Sequence, residues 1–224
     1  PDPLYQELAT QYPNVGSVLV DGGGLRLCSG TLIDPQWVLS ASHCLKPGAS
    51  VPDVTSGSFT INKPKYNVES VKINPGFLDT RYNQFAGYDI GLVKLSSPVT
   101  NVKPAEFYTD SQLIGQKVTF VGYGNTGNGL TGQQEGSYGT KRAGENTIDG
   151  FGSSYKNSWS DRVLASDFDS PSGSANVLGS PTPLSLEYGN GVSDSGGGIF
   201  IGGKLVGVHS GSVDPTKKYG NVSG

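Results

Sequence analysis

A chain of 224 residues can form one large domain or two small ones, and either buries a real core. Charged residues make up only 16% and the formal net charge is −3, so neither nucleic acid nor an anionic membrane surface is an expected partner. No apolar run approaches the roughly 18 residues of a membrane span.

The opening PDPLYQEL carries no signal-peptide pattern and is what a processed chain would show; the end, GNVSG, reads as a cut. LYQELATQY (4–12), with apolar or aromatic residues at 4, 5, 8 and 12, is the one helical candidate. Strand-like runs follow, short and rich in Val, Ile, Leu, Thr and aromatics: 15–20, 25–33, 37–40, 59–61, 66–73, 90–95, 117–124, 198–203 and 204–210. In the last two, IFIGGKLVGV predicts a hairpin whose turn is Gly202–Gly203. The class is therefore all-β and mostly antiparallel. SSPVTNVKPAEFYTD (96–110), with two prolines and little alternation, reads as a crossing between two halves. The stretch from Asn125 to about Gly191 is rich in Gly, Ser and Asn and long for a loop, so it holds poorly marked strands or a functional excursion.

Chemistry concentrates at a few positions. The chain has two histidines, His43 and His209, and two cysteines, Cys28 and Cys44. The cysteines are either free core thiols or a disulfide; the bond is favoured because it would hold His43 still, and it implies an oxidising compartment. Two Cys and two His at these spacings do not make a zinc site, and no metal or other cofactor is expected. His43 follows a buried-looking strand, among small residues that leave an imidazole accessible to act as a base. Such a base needs a carboxylate behind it to favour one tautomer, and Asp89 in YDIGLVKL is the candidate, with a turn-capping aspartate as the plainer reading. In GNGVSDSGGG (189–198), glycines let the backbone turn its N–H groups inward around one hydroxyl, Ser195, while Asp194 turns away and anchors the loop. His43 is the natural base for that hydroxyl.

His43, Asp89 and Ser195, in this order and with these surroundings, resemble the chymotrypsin/trypsin-like serine proteases. CSGTLI…WVLSASHC, DIGLVKL, VGYG, SDSGGGIF and KLVGVHS are similar to that family's motifs, and YQELATQYPNVGSV, TKRAGENTID and ASDFDSP look like its secreted bacterial members. The resemblance implies two six-stranded antiparallel barrels with the site between them: residues 1–105 carry His43 and Asp89, and 106–224 carry Ser195. It implies a secreted endopeptidase, monomeric, acting on polypeptides with His43, Asp89 and Ser195 as catalytic residues. The oxyanion hole would come from the N–H groups of Ser193 and Ser195. The Cys28–Cys44 spacing relative to His43 is similar to the family's loop disulfide. Ser210 resembles the serine that bonds the catalytic aspartate, and His209 is expected to face away as a structural residue. The primary pocket would be built from Gly189, Ser210, Gly211, Ser212 and Gly220. With no aspartate at 189, it implies an apolar or small, non-basic P1 side chain.

Several departures matter. Ser193 stands where the family has glycine, Ser42 where it commonly has alanine, and Gly198 where its motif ends in proline. No IVGG-like N-terminus is present to supply an amine to Asp194, so Arg26, Lys141 and Arg142 are its candidate partners. The cysteine pair that usually braces the serine loop is missing, and Gly191 stands at one of its positions. Asp161, Asp167 and Asp169 suggest calcium less than they suggest solvated turns. The residue order excludes the α/β-hydrolases, and a subtilisin-like use of Asp34 needs a parallel sheet that this pattern does not offer. The competing function is a non-catalytic binding or adhesion module on the same fold.

Overall fold

The structure is a computed structural model that describes residues 2–214 and 218–224. Its first half is built by alternation. Strands β1 (Val15–Asp21), β2 (Leu25–Asp34), β3 (Trp37–Ser40), β4 (Ser56–Thr60), β5 (Lys65–Ile73) and β6 (Gly91–Leu95) close into a barrel in the order β1-β2-β3-β6-β5-β4. Every pairing is antiparallel. Alternate residues point inward, so Val18, Val20, Leu32, Val38, Phe59, Val93 and Leu95 fill one fully buried core. Closure removes both sheet edges, which suits a half with one long exposed strand, β5.

The second half contains β7 (Lys117–Gly122), β8 (Gly127–Asn128), β9 (Gly132–Gln133), β10 (Arg142–Thr147), β11 (Gly150–Phe151), β12 (Leu164–Asp167), β13 (Gly198–Ile201), β14 (Lys204–Val208) and β15 (Val222–Ser223). They form a four-stranded sheet β10-β7-β13-β14, a three-stranded sheet β11-β12-β15 and the small ribbon β8-β9. Strand pairing does not close this half as it closes the first. Four of its strands are two residues long, and residues 168–197 carry none. Side chains span the gap instead: the Asn146 amide donates to the carbonyls of Asp167 (2.7 Å) and Tyr188 (3.0 Å). The expected glycine hairpin joins β13 to β14, with φ of +55° at Gly202 and +81° at Gly203.

The crossing segment changes partners within three residues. The Ala105 N–H bonds the Leu32 carbonyl of β2, whereas Glu106 and Tyr108 bond Leu205 of β14. Helix α1 (Asp2–Ala9) covers the seam, and 3-residue turns carry the coil on to Tyr12. Ala9, Leu8 and Tyr12 pack with Leu39, Val121, Ala143, Phe200 and Leu205 from both halves. Short helices α2 (Ser42–Leu45), α3 (Pro75–Asp79) and α4 (Gly152–Tyr155) complete the chain. No helix among the described residues is long and apolar enough to cross a membrane.

Candidate active site

His43 lies in the single turn of α2, directly after β3, and the turn is tied down at both ends. Cys44 forms a disulfide with Cys28 of β2, with Cα atoms 6.3 Å apart. Ser42, fully buried, donates to the Ile90 carbonyl (2.7 Å) and accepts from the Asn74 N–H (3.2 Å). Ser42, which stands where the family commonly has alanine, pins the histidine turn to the segment that carries Asp89.

Asp89 sits between the 3-10 turn Gln84–Ala86 and β6 and is 6% exposed. A buried carboxylate must be filled with donors, and here three converge. The His43 backbone N–H donates to Oδ1 (2.8 Å), the His43 ring Nδ1 to Oδ2 (2.6 Å), and the Ser210 hydroxyl to Oδ2 (2.5 Å). Because the carboxylate can only accept, Nδ1 carries the proton and Nε2 presents a lone pair. Nε2 lies 4.0 Å from Cys44 Sγ, and that sulfur lies 3.6 Å from the Ser195 carbonyl oxygen of the second half.

Ser195 precedes β13 on a loop held across the seam. Its carbonyl accepts from the Ser29 N–H (2.8 Å). The Ser29 hydroxyl donates to the Ser193 carbonyl (3.0 Å) and accepts from the Tyr123 N–H (2.9 Å). Gly196, at φ +81°, has no room for a side chain, since a Cβ there would lie 2.1 Å from Ser40 Oγ. The Ser195 hydroxyl donates to the Ser210 carbonyl at 3.4 Å, not to His43. Hydrogen bonds between a nucleophile and its base commonly tighten only when substrate is bound.

The N–H groups of Ser193 and Ser195 make none of the loop's backbone hydrogen bonds. The peptide before Ser193 has a defined direction. The Val192 carbonyl accepts from the Asn125 N–H (2.8 Å), and in a planar trans peptide this points the Ser193 N–H the opposite way. Ser193 takes φ of +76°, the left-handed conformation that glycine adopts freely, at a cost of about 1–2 kcal/mol for serine. The direction of the Ser193 N–H is therefore set by the chain itself, and the serine carries strain.

Asp194 turns away and is 4% exposed, as its place in the loop implied. Its partners differ from those expected. Arg26 bonds the Cys44 and Gly22 carbonyls, Lys141 donates to the Tyr12 carbonyl, and Arg142 pairs with Asp2 of α1. The Asp194 carboxylate accepts instead from the N–H groups of Gly124 (2.7 Å) and Gly191 (2.9 Å). Burial raises its pKa, opposed by the nearby Tyr188 hydroxyl, by those two N–H groups and by the field of Arg142. Gly124 is required because a Cβ there would lie 2.3 Å from the carboxyl carbon.

The residues expected to form one pocket do not share one cavity. Gly189 lines a cavity of about 610 Å³ with Phe168, Tyr188, Tyr219, Glu187 and Asp194; Ser210, Gly211, Ser212 and Gly220 do not. Phe168 touches both groups: its ring lies 2.8 Å from where a Gly189 Cβ would be, and its carbonyl accepts from Gly220 N–H (2.7 Å). Gly211 exchanges backbone bonds with Gly224, and the space a side chain would take there is filled by Gln84, 2.6 Å away, and Phe85. Phe85 is stacked on Trp159 with ring centroids 3.8 Å apart, an aromatic wall that no motif announced.

His209 is fully buried, bonds Asn190 through Nδ1 (3.2 Å) and packs on Phe120 and Tyr188, well inside the second half. The three acidic residues of the excursion are not alike. Asp161 is exposed and bonds Ser153, but Asp167 and Asp169 are buried, not solvated. Asp167 caps the N–H groups of Val177 (2.5 Å) and Leu178 (3.0 Å). Burial pushes Asp169 up to about 6 and both Asp149 and Glu187 up to about 7. Among the described residues, no group of three or more His, Cys, Asp or Glu is arranged to hold a metal ion.

A closed β-barrel joined across a seam to a second antiparallel half is the trypsin type of fold. Solved structures share it. A Glu endopeptidase structure superimposes with a TM-score of 0.62 at 17% identity, over 95% of this chain and 84% of that one. An HL collagenase structure does so with a TM-score of 0.66 at 16% identity, over 95% and 87%. The family model described as trypsin matches residues 6–181, most of the chain, and the chain belongs to the trypsin family. Brachyurin of Leptuca pugilator is 28% identical over 96 residues, which cover 42% of this chain and only 41% of that relative.

Proposed function

We propose that this chain is a serine endopeptidase whose catalytic residues are Ser195, His43 and Asp89. The reading rests above all on one arrangement: Asp89 holds His43 Nδ1 at 2.6 Å, so that Nε2 is the free base beside the Ser195 loop. In the reaction, Ser195 Oγ attacks the scissile carbonyl carbon as Nε2 takes its proton. The carbonyl oxygen becomes an oxyanion received by the N–H groups of Ser193 and Ser195. His43 then gives the proton to the leaving amine, the C–N bond breaks, and the acyl group stays on Ser195. Water, deprotonated by His43, attacks the ester and releases the acid. Asp89 orients the ring and stabilises its cationic form without taking the proton. No step calls for a cofactor.

The two halves divide the work near Ala105, the first supplying base and carboxylate and the second the nucleophile and hole. The P1 side chain accepted is non-basic, apolar or small. Gly189 brings no carboxylate, and the Phe168 ring against it gives that region an apolar surface. A monomer acting outside the cytoplasm fits the disulfide. A fluorophosphonate probe tests the reading. Labelling of the folded protein, lost in Ser195→Ala, is expected; folded protein that is not labelled would favour a non-catalytic module. Cleavage of a peptide library only after Lys or Arg would overturn the pocket assignment while leaving the mechanism.

A further inference from the structure

We infer that Gln133 is a positioning residue for the oxyanion hole. The inference rests on the reading of the Ser193 and Ser195 N–H groups as that hole. Gln133 ends β9, in the small ribbon that projects from the second half. Its side-chain oxygen accepts from the Val192 N–H (3.0 Å) and from the Asn125 side-chain amide (3.3 Å). The backbone donor fixes which end of the amide faces inward, because only an oxygen can accept there. The other end, Nε2, donates to Glu135 (3.0 Å).

Residue 192 is thus gripped on both sides. Its carbonyl is held by the Asn125 N–H, and its own N–H is held by Gln133. The same glutamine oxygen holds the Asn125 side chain, so both grips are tied to one atom. Rotation of the 192–193 peptide would carry the Ser193 N–H out of the hole and must break the Asn125 bond to the Val192 carbonyl, while Gln133, bonded to the Val192 N–H of the preceding peptide and to the Asn125 side chain, holds the two residues that make that bond in register. Other members of the fold brace this loop with a cysteine bridge and a buried N-terminal amine, as the departures noted above imply. Here Gly191 offers no sulfur, and its backbone lies so close to Asn125 that a Cβ would stand 2.4 Å from the Asn125 carbonyl oxygen. The ribbon itself is anchored. The Gln134 N–H bonds the Thr126 carbonyl, and the Thr126 N–H bonds Ser137 Oγ. Arg142 bonds the Ser137 carbonyl while pairing with Asp2 of α1. The N-terminal helix is in this way joined to the hole through polar contacts alone.

Gln133→Leu removes the acceptor at nearly constant size. The expected result is fluorophosphonate labelling slowed about 10-fold, less than the 10²–10³ lost when an oxyanion donor is itself removed. The melting temperature should stay within about 1 °C, since the Val192 bond is exposed. Gln133→Glu, made together with Glu135→Gln so that the two side chains do not meet as like charges, keeps an acceptor for both donors and recovers most of the rate. Backbone amide exchange at Val192 and Ser193, read by NMR, rises about 10-fold in Gln133→Leu and not in Gln133→Glu/Glu135→Gln. Unchanged labelling in Gln133→Leu, a glutamate variant as slow as the leucine variant, or equal exchange rates would each overturn the inference. Wild-type protein that is never labelled would defeat the reading of the site, and amide exchange would still decide whether Gln133 holds the loop.

Discussion

The two halves of this molecule solve the same problem by different means. The first fixes His43 and Asp89 on a closed barrel with a core of Val, Leu and Phe, and among its described residues the one buried charged side chain is Asp89 itself. The second fixes Ser195 on a loop, and its buried residues include Asp167, Asp169, Asp194, Asn125, Asn146 and Asn190. Apolar packing is collective, so no single apolar contact there decides where His43 sits. Polar staples are individual: each one holds a particular carbonyl or N–H, and removing one partner leaves the other unsatisfied. The first half is therefore expected to fail globally and the second locally.

The largest effects test whether the halves meet as one site. Ser195→Ala and His43→Ala should each lower kcat by about 10⁶, because the two groups act as a unit. Asp89→Asn should lower it about 10⁴, by favouring the wrong tautomer. All three should fold, with near-wild-type circular dichroism. A residual rate in His43→Ala within 10-fold of wild type would mean that another group takes the proton. Next in size is the double variant Cys28→Ser/Cys44→Ser. The bridge closes a loop with a sequence separation of 16, so its loss should cost about 3 kcal/mol in urea unfolding. It should also loosen His43, which adjoins Cys44, and so slow labelling at Ser195 across the seam. A variant that loses stability at an unchanged labelling rate would show that the barrel positions His43 without the bridge.

How much of this could be read from the amino-acid sequence differs between the halves for the same reason. Period-two alternation marks strands that bury one face, so β1, β2, β3, β5 and β6 are legible to within a residue at each end, whereas β4 (Ser56–Thr60) begins three residues before the run 59–61 read for it, because SGS carries no apolar signal. RAGENT (β10) and LASD (β12) carry no such alternation. Their burial comes from partners that only the fold supplies, such as Tyr188 and Leu186 against Gly144. The neighbours of Asp89 were legible because motif residues meet there, His43 and Ser210 included. Ser29, Gln133 and Asn125 were not, since an amide or hydroxyl in a glycine-rich loop has no local signature of the carbonyl it will hold. The lining of the pocket region was less legible: Phe168, from the excursion, touches both Gly189 and Gly220, and no motif marks it. The partner of Asp194 was missed because it is backbone, which has no letter of its own.

Smaller effects probe the polar half by pH. Burial raises Asp149 and Glu187 to about 7 and Asp169 to about 6, whereas unfolded carboxylates titrate near pH 4. Between about pH 4 and 7 the folded state therefore binds more protons than the unfolded one, and stability falls as pH rises. The melting temperature should be a few degrees higher near pH 5 than near pH 8. Glu187→Gln removes one of these groups and should flatten that slope, most visibly between pH 6 and 8. A slope of the same steepness in the variant would place the pH dependence elsewhere. Substitutions in the first-half core, such as Val93→Ala, should lower the curve at every pH without changing its shape.

The smallest expected change concerns Ser193, where the two kinds of support meet. Its φ of +76° costs serine about 1–2 kcal/mol, and glycine relieves this but gains about 0.5–1 kcal/mol of unfolded-state entropy. Ser193→Gly should therefore be stabilising by no more than about 1.5 kcal/mol in urea unfolding. The N–H remains where the Val192 and Asn125 contacts direct it, so fluorophosphonate labelling should stay within about twofold. A tenfold loss would show that those contacts do not suffice and that the strained side chain itself keeps the loop in place. Stability gained at constant rate would instead locate the strain in a residue the loop tolerates because its staples outweigh it.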